Sequence, residues 1–442
     1  MLRNGYAGVE NLRCMFAAVT ITQRFRYTKG ATMNPMPIRR TVTAMVLPIL
    51  ALLMAPALAF GQATTQSAGS FDFNSDGIVF MTADSSSRVV MRFRTQNWAT
   101  FTMDDEFDVV SSELQPRRLR LRFGGHLVDP RLTYNIQLSF TRGDQDWTDT
   151  QFPNIVRDAM VFWNFTPNLQ VGFGQTKLPG NRQRVISSAD LQVPDRSIVN
   201  GAFNIDRDFG LQGFWRPIHG SVIVNLRGAV SSGEGRNQPT ITGDGLAYTG
   251  RVEVLPFGAF KGGGDYFEGD LLREPTPKLS VGLTAHRNAN QTRTRGTLGT
   301  QLFAQRTAEV LYADALMKYR GLSFYGEFAR RTADNPITVN SKDTTQKAAI
   351  LVGMGYMAQL SYCFPSMFEV TGRYAVTDAD DALAGLRDYV KNENASLTCT
   401  YYANRHRIKG NVEMGLNRQT AYNSGNAVTT TYYVRFNTEL GI

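Results

Sequence analysis

The sequence predicts an all-β fold, a transmembrane antiparallel β-barrel carried behind an export signal. Apolar and polar residues alternate with period 2 through most of the chain, which puts them on opposite faces of strands. No stretch after residue 63 contains 18 consecutive apolar residues. A closed barrel, in which every backbone group finds a partner between strands, is then the remaining way to cross a bilayer. The chain also opens with a segment that reads as a secretory signal.

Residues 1–63, the signal and what precedes it, account for most of the net charge. The 442 residues carry a formal +9, but residues 1–63 hold seven Lys/Arg and one acid, leaving 40 bases against 37 acids for residues 64–442. A general polyanion-binding surface is therefore not indicated, and no nucleic-acid partner is expected. Arg39 and Arg40, the apolar run Thr41 to Ala59 and the small residues after it predict a signal peptide over 33–63, cleaved after Ala59 or Ala63. Pro48 and Pro56 interrupt a run that is already short for a bilayer span. Residues 1–32 then read as an extension ahead of the natural start at Met33 or Met36, 64–86 as a periplasmic lead-in and 87–442 as the barrel. Cys363 and Cys399, which follow the signal, have neither metal nor redox spacing.

The strands follow in order. From Arg88 to Met103, Val89, Met91, Phe93, Ala99 and Phe101 oppose Arg88, Arg92, Arg94, Gln96 and Thr100. Leu119, Leu121, Phe123 and Leu127 oppose Arg118, Arg120 and Arg122, and Leu132 to Phe140 alternate with Arg131, Thr133, Asn135, Gln137 and Ser139. Weaker copies continue to Leu440. The intervening connections are short turns or longer loops rich in Gly, Asn, Asp and Thr, the longer ones including Lys177 to Asp206, Ala259 to Pro277 and Ala285 to Thr307. Trp98, Phe101, Trp163, Phe165, Tyr319, Tyr401, Tyr432 and Tyr433 sit near strand ends, as interfacial girdles require. A secreted two-sheet domain would also alternate, but its polar face would not be so cationic.

An arginine at the bilayer midplane costs about 2–4 kcal/mol on a lipid-facing position, so the cationic face is the inner one. Arg88, Arg92, Arg94, Arg118, Arg120, Arg122 and Arg131 are thus the candidate anion pathway. Groups two residues apart on one strand face lie about 6.6–7 Å apart, close enough to pass an anion along. Guanidinium suits this, being always charged, weakly hydrated and forked. The competing expectation is that these arginines pair with Asp104, Asp105, Asp108, Glu113, Asp158, Glu309 or Glu327 and brace the wall.

Other chemistry is thinly supported. Asp72 to Gly77 matches half a calcium loop, but Ala83 stands where the ligating Glu belongs. His126, His219, His286 and His406 are isolated, and Lys261-Gly262-Gly263-Gly264-Asp265 lacks a P-loop ending and reads as an external glycine-rich loop. No cofactor is expected. A hydrolase embedded in the barrel and a purely structural barrel are the alternatives to a pore.

The stretch Gly172-Phe173-Gly174-Gln175-Thr176-Lys177-Leu178-Pro179-Gly180, then Asp195-Arg196-Ser197-Ile198-Val199-Asn200 and Asp206-Arg207-Asp208-Phe209-Gly210, resembles the phosphate-selective porin O and P family. The resemblance implies about 16 strands, a homotrimer in the outer membrane and an inward-folding loop after the fifth strand. Lys177, Arg182, Arg184, Arg196 and Arg207 would line the constriction. It further implies passive diffusion of small inorganic anions, phosphate or other oxyanions among them, with membrane lipid around the barrel. A general non-selective porin is the alternative within that fold.

Overall fold

The computed structural model describes residues 69–74, 77–144, 154–219, 221–238, 240–241 and 245–442. The expectations for residues 1–63 lie outside them. Alternation becomes sixteen barrel strands: β1 (Arg88–Met103), β2 (Val109–Leu127), β3 (Asp129–Ser139), β4 (Val156–Thr166), β5 (Leu169–Lys177), β6 (Arg207–Trp215), β7 (Val222–Ser231) and β8 (Ala247–Leu255) form the first half. The second half is β9 (Lys278–Arg295), β10 (Leu298–Tyr319), β11 (Leu322–Ala333), β12 (Gly353–Cys363), β13 (Phe368–Ala379), β14 (Val390–Asn404), β15 (Ile408–Ala421) and β16 (Ala427–Gly441). Each pairs antiparallel with the next, and β16 returns to β1, from Tyr432 opposite Met103 to Gly441 opposite Arg94. The sheet is thereby closed, with no edge left in the wall.

Among the described residues no helix is long and apolar enough to cross a membrane, so the strands do the spanning. Outside, Phe173, Leu211, Leu283, Leu311, Leu360, Leu397 and Phe436 are exposed in an apolar band. The lead-in contains a hairpin, Ser70–Asn74 with Gly77–Met81, whose second strand pairs with the start of β1, Met81 opposite Arg88.

Three expectations need correction. Residues 285–307 are not a loop: β9 and β10, of 18 and 22 residues, run through them as a long hairpin turning at Gly296 and Thr297. Trp98 and Tyr433 are not girdle residues but face the lumen, where the Arg435 guanidinium lies 4.3 Å from the Trp98 ring and Tyr433 donates to Glu413 at 3.2 Å. Counting strand ends, the connection after β8 also emerges at the end opposite the loop after β5. Residues 256–277 therefore share an end with the tight turns at Val128 and at Arg320-Gly321, and the glycine-rich run within them is not in a long-loop position.

Much of the hydrophobic core lies inside the barrel. The loop after β5 carries two short helices, α1 (Arg182–Val185) and α2 (Ile198–Phe203), and Leu178, Val199, Phe203 and Ile205 pack on an apolar inner patch from Val310, Tyr312, Leu316, Tyr325, Ala329 and Met357. The inner wall is thus two-sided. One arc, around β10–β13, is apolar and holds the loop; the other, β1–β6, is polar and basic.

Candidate functional site

The loop after the fifth strand folds inward because its own cations tie it down. At the end of β5, the Lys177 ammonium donates to the carbonyls of Val185 and Ile186, both at 3.1 Å. Arg182 is fully buried, ion-paired to Asp314 at 2.6 Å and donating to Ser280 at 2.7 Å and to the Asp265 carbonyl at 2.9 Å. Burial acts to lower its pKa, but Asp314 and Glu253 outweigh it and the net direction is up. Arg251 shares both carboxylates, at 2.7 Å to Asp314 and 2.7 Å to Glu253. Arg182 is therefore an anchor between the loop and β8–β10. Ser197, accepting from the Asn200 N–H, caps α2 and presents Val199 and Phe203 to the apolar patch.

Against Ser188 and Asp195 of the loop, β1 and β2 bring their arginines together in register. Arg92 stands opposite Arg122, Arg94 opposite Arg120, and Gln96 opposite Arg118. Directly opposed like charges on one sheet face are destabilising, so such pairs need counter-charge. The structure supplies it in graded amounts. Arg94 pairs with Glu439 at 2.5 Å and donates to Ser188 Oγ at 2.8 Å, and Arg120 binds Asp144 through Nε at 2.7 Å. Arg118 reaches Asp195 at 2.6 Å. For Arg122, which is exposed to the lumen, the neighbour is the uncharged Asn135, at 2.6 Å.

Two cations escaped the alternation because β-bulges turn them inward. Between the pairs Gln96–Arg118 and Asn97–Pro116 the register slips by one, so Arg117 and Arg118 both point inward. Arg117 joins Arg118 on Asp195 at 3.0 Å and lies 5.1 Å from the Trp98 ring. In β4 a second slip, after the pair Gln137–Asp158, does the same for Arg157, which donates to the Asp144 carbonyl at 2.7 Å. Consecutive Arg117-Arg118 and Arg157-Asp158 were the available signals for these bulges. Arg236, Arg293 and Arg295, from the loop after β7 and the long hairpin, were not legible as site residues.

Together these groups line a cavity of about 580 Å³ at the long-loop side of the constriction, with ten arginines and Lys177 against Asp144, Asp195 and Asp206. Of the loop residues, Arg184 pairs with Asp206, Arg196 donates to the Gln183 carbonyl at 2.6 Å and Arg207 grips Asp158 at 2.9 and 3.1 Å. Burial, then Arg196 and Arg207, push Arg184 well below the ordinary guanidinium value. Burial and Arg118 push Arg196 down to about 9 against the pull of Asp195. A guanidinium does not give up its proton in a protein, so these shifts register the unfavourable crowding of like charges around the loop. Asp195 is held well below the carboxylate range by Arg118 and Arg117, against its burial.

Below the cavity the open side of the lumen follows β1–β3: Arg122 is exposed, and Arg92, Asn135 and Gln137 are half-buried. On the far side Ser280, Lys318, Glu369, Thr398 and Thr400 are all buried. Arg88 sits at the short-turn end of β1, opposite His126. Arg131 stands apart at that rim, exposed, paired with Asp129 at 2.7 Å and 4.9 Å from the Trp163 ring.

A model of the phosphate-selective porin O and P family matches residues 90–436. No curated protein sequence matches the chain. Among solved structures it is similar in fold to the outer membrane channel DcaP of Acinetobacter baumannii, at 12% identity and TM-score 0.50 over 81% of this chain and 98% of that one. It is also similar to an anion-selective porin from Comamonas acidovorans, at 14% identity and TM-score 0.47 over 80% of this chain and 100% of that one. A further likeness is to OprB of Pseudomonas putida, at 11% identity and TM-score 0.49 over 81% and 95% of the two chains. The family is one of porins. The family match runs from the first barrel strand to the last, taking in the wall, the inward loop and the arginine face together, and this chain, a porin of the outer membrane, belongs to the phosphate-selective porin O and P family.

Proposed function

We propose that the pore passes small anions, inorganic phosphate and other oxyanions among them, down the β1–β6 side of its lumen. The observation that carries this is the opposed pairs Arg92–Arg122 and Arg94–Arg120 leading from a cavity with eleven cations and three carboxylates. A planar guanidinium fork matches an oxyanion, and rows of them concentrate anions and repel cations. Lys177 and Arg182 hold the constriction in place, whereas Arg184, Arg196 and Arg207 line it; Arg131 is left out of the pathway. Passage is by diffusion, without catalysis, as befits a porin. Homotrimeric assembly completes the reading. Single-channel recording in planar bilayers under a potassium chloride gradient tests it, with a reversal potential of the sign set by chloride expected. A reversal potential near zero, or of the opposite sign, removes the anion pathway.

A further inference from the structure

Residues 256–277, between β8 and β9, leave the wall at the short-turn end and run back inside the barrel. Their outer limb is tied to that rim. Asp270 accepts the Gly321 N–H at 2.6 Å, the Glu274 carbonyl accepts the Arg320 N–H at 2.9 Å, and Arg273 donates to the Cys363 carbonyl. Gly262 and Gly263, both left-handed at φ 56° and 72°, let the chain reverse before Asp265. The tip then meets the loop after β5 within the lumen. The Glu268 N–H donates to the Asp190 carbonyl at 2.8 Å, and the Glu268 carboxylate accepts the Gln192 N–H at 3.1 Å and the Gln359 amide at 3.0 Å. Lys318 donates to the Phe267 carbonyl at 2.8 Å and lies 4.0 Å from its ring.

The segment is an acidic insert in a basic lumen, with Asp265, Glu268, Asp270 and Glu274 against Lys261 and Arg273. All four carboxylates are buried. Cations of the wall beside it are already paired: Arg251 with Asp314 and Lys409 with Glu439 at 3.6 Å. The surplus of cations over carboxylates is on the other side, where ten arginines and Lys177 line the cavity against three aspartates.

We propose that residues 256–277 are a selectivity element, which fills the β9–β15 side of the lumen and so confines permeating ions to the arginine-lined side. The proposal rests on the anion reading above. Screening limits the reach of the arginines to about 8 Å at physiological ionic strength. A barrel of sixteen strands left empty holds an aqueous channel wide enough for ions to pass beyond that reach. With that side of the lumen filled, every ion travels within reach of Arg92, Arg122 and their neighbours. The segment thus raises selectivity without touching the ion.

The test replaces Ala259–Thr276 by a short glycine-containing turn in the otherwise full chain and records conductance and reversal potential beside the wild type. Conductance is expected to rise about twofold or more, and the anion-to-cation permeability ratio to fall toward unity. Glu268→Ala, which frees only the tip, should shift both in the same direction by less, and it keeps the test open should the shortened chain not fold. An anion-selective wild type whose variants keep the same permeability ratio, with or without a change in conductance, overturns the proposal and leaves the anion pathway standing. A wild type that is not anion-selective overturns the pathway itself, and the proposal with it.

Discussion

Arg122 and Arg182 show how differently two arginines of one lumen are used. Arg182 is fully buried between Asp314 and Glu253, at 2.6 and 3.4 Å, and its loss would leave those two carboxylates to Arg251 and the more distant Arg227; removing one partner from a buried ion-pair network costs up to about 3–5 kcal/mol. Arg182→Ala should therefore lower the thermal midpoint and the yield of folded barrel in detergent. Arg122 is exposed, with Asn135 beside it and Arg92 across the strand pair. The double replacement Arg92→Ser with Arg122→Ser should leave the midpoint near the wild-type value, or raise it by relieving repulsion, while cutting the anion-to-cation permeability ratio by about twofold. If the double variant is electrically unchanged, the pair does not lie on the ion path. Alternation alone placed Arg88, Arg92, Arg94, Arg118, Arg120 and Arg122 on one face, but it could not tell the carboxylate-held Arg94, Arg118 and Arg120 from Arg122, which is exposed beside Asn135. That separation depends on Asp144, Asp195 and Glu439, which come from other strands and loops.

Among the elements, the strands and the inward loop were legible and the lumen filler was not. Period 2 marks a strand wherever one face meets lipid and the other water, whereas residues 256–277 are buried inside the barrel, where no such contrast marks them. The long hairpin of β9 and β10 was missed because beyond the membrane neither face meets lipid. The two bulges hid Arg117 and Arg157 by breaking the parity that the reading relied on. The filler carries its own pH dependence through His406, in the turn after β14, whose Nε2 meets the Glu268 carbonyl at 3.0 Å and whose ring packs on Phe267 and Tyr402. Burial, with Lys409 and Lys318 nearby, pushes the imidazole well below its ordinary 6.5. The docked state therefore favours the neutral ring, and its stability is full above about pH 6.5 and falls below it, by up to about 1.4 kcal/mol per pH unit. Conductance should rise as the pH is taken from 7.5 to 5, and His406→Gln should flatten that rise. An equal rise in the variant would assign it to other groups.

For the whole molecule, closure of the sheet and the outer apolar band decide where the chain resides, and under the proposed function the charge of the lumen decides what crosses it. An apolar band can meet a neighbouring barrel as readily as lipid, and a homotrimer that runs as one band in mild detergent and dissociates on heating is expected; a single monomeric species at every detergent concentration would exclude it. Selectivity, by contrast, belongs to each barrel separately, because the cationic cavity and the loop that bounds it come from one chain. Its dependence on salt follows from the distances. The Debye length is about 10 Å at 0.1 M and about 3 Å at 1 M, whereas successive arginines on one strand face stand about 6.6–7 Å apart. At low salt their fields overlap along the wall and a cation finds no neutral passage. At 1 M each group is screened before its neighbour is reached, so selectivity then rests on direct contact with single guanidiniums. The permeability ratio should therefore fall steadily between 0.1 and 1 M without reaching unity, since the close contacts survive screening. A ratio independent of salt would mean that ions are sorted by contact or size alone, and a ratio of unity at all concentrations would mean that the arginines are fully neutralised by the carboxylates they hold.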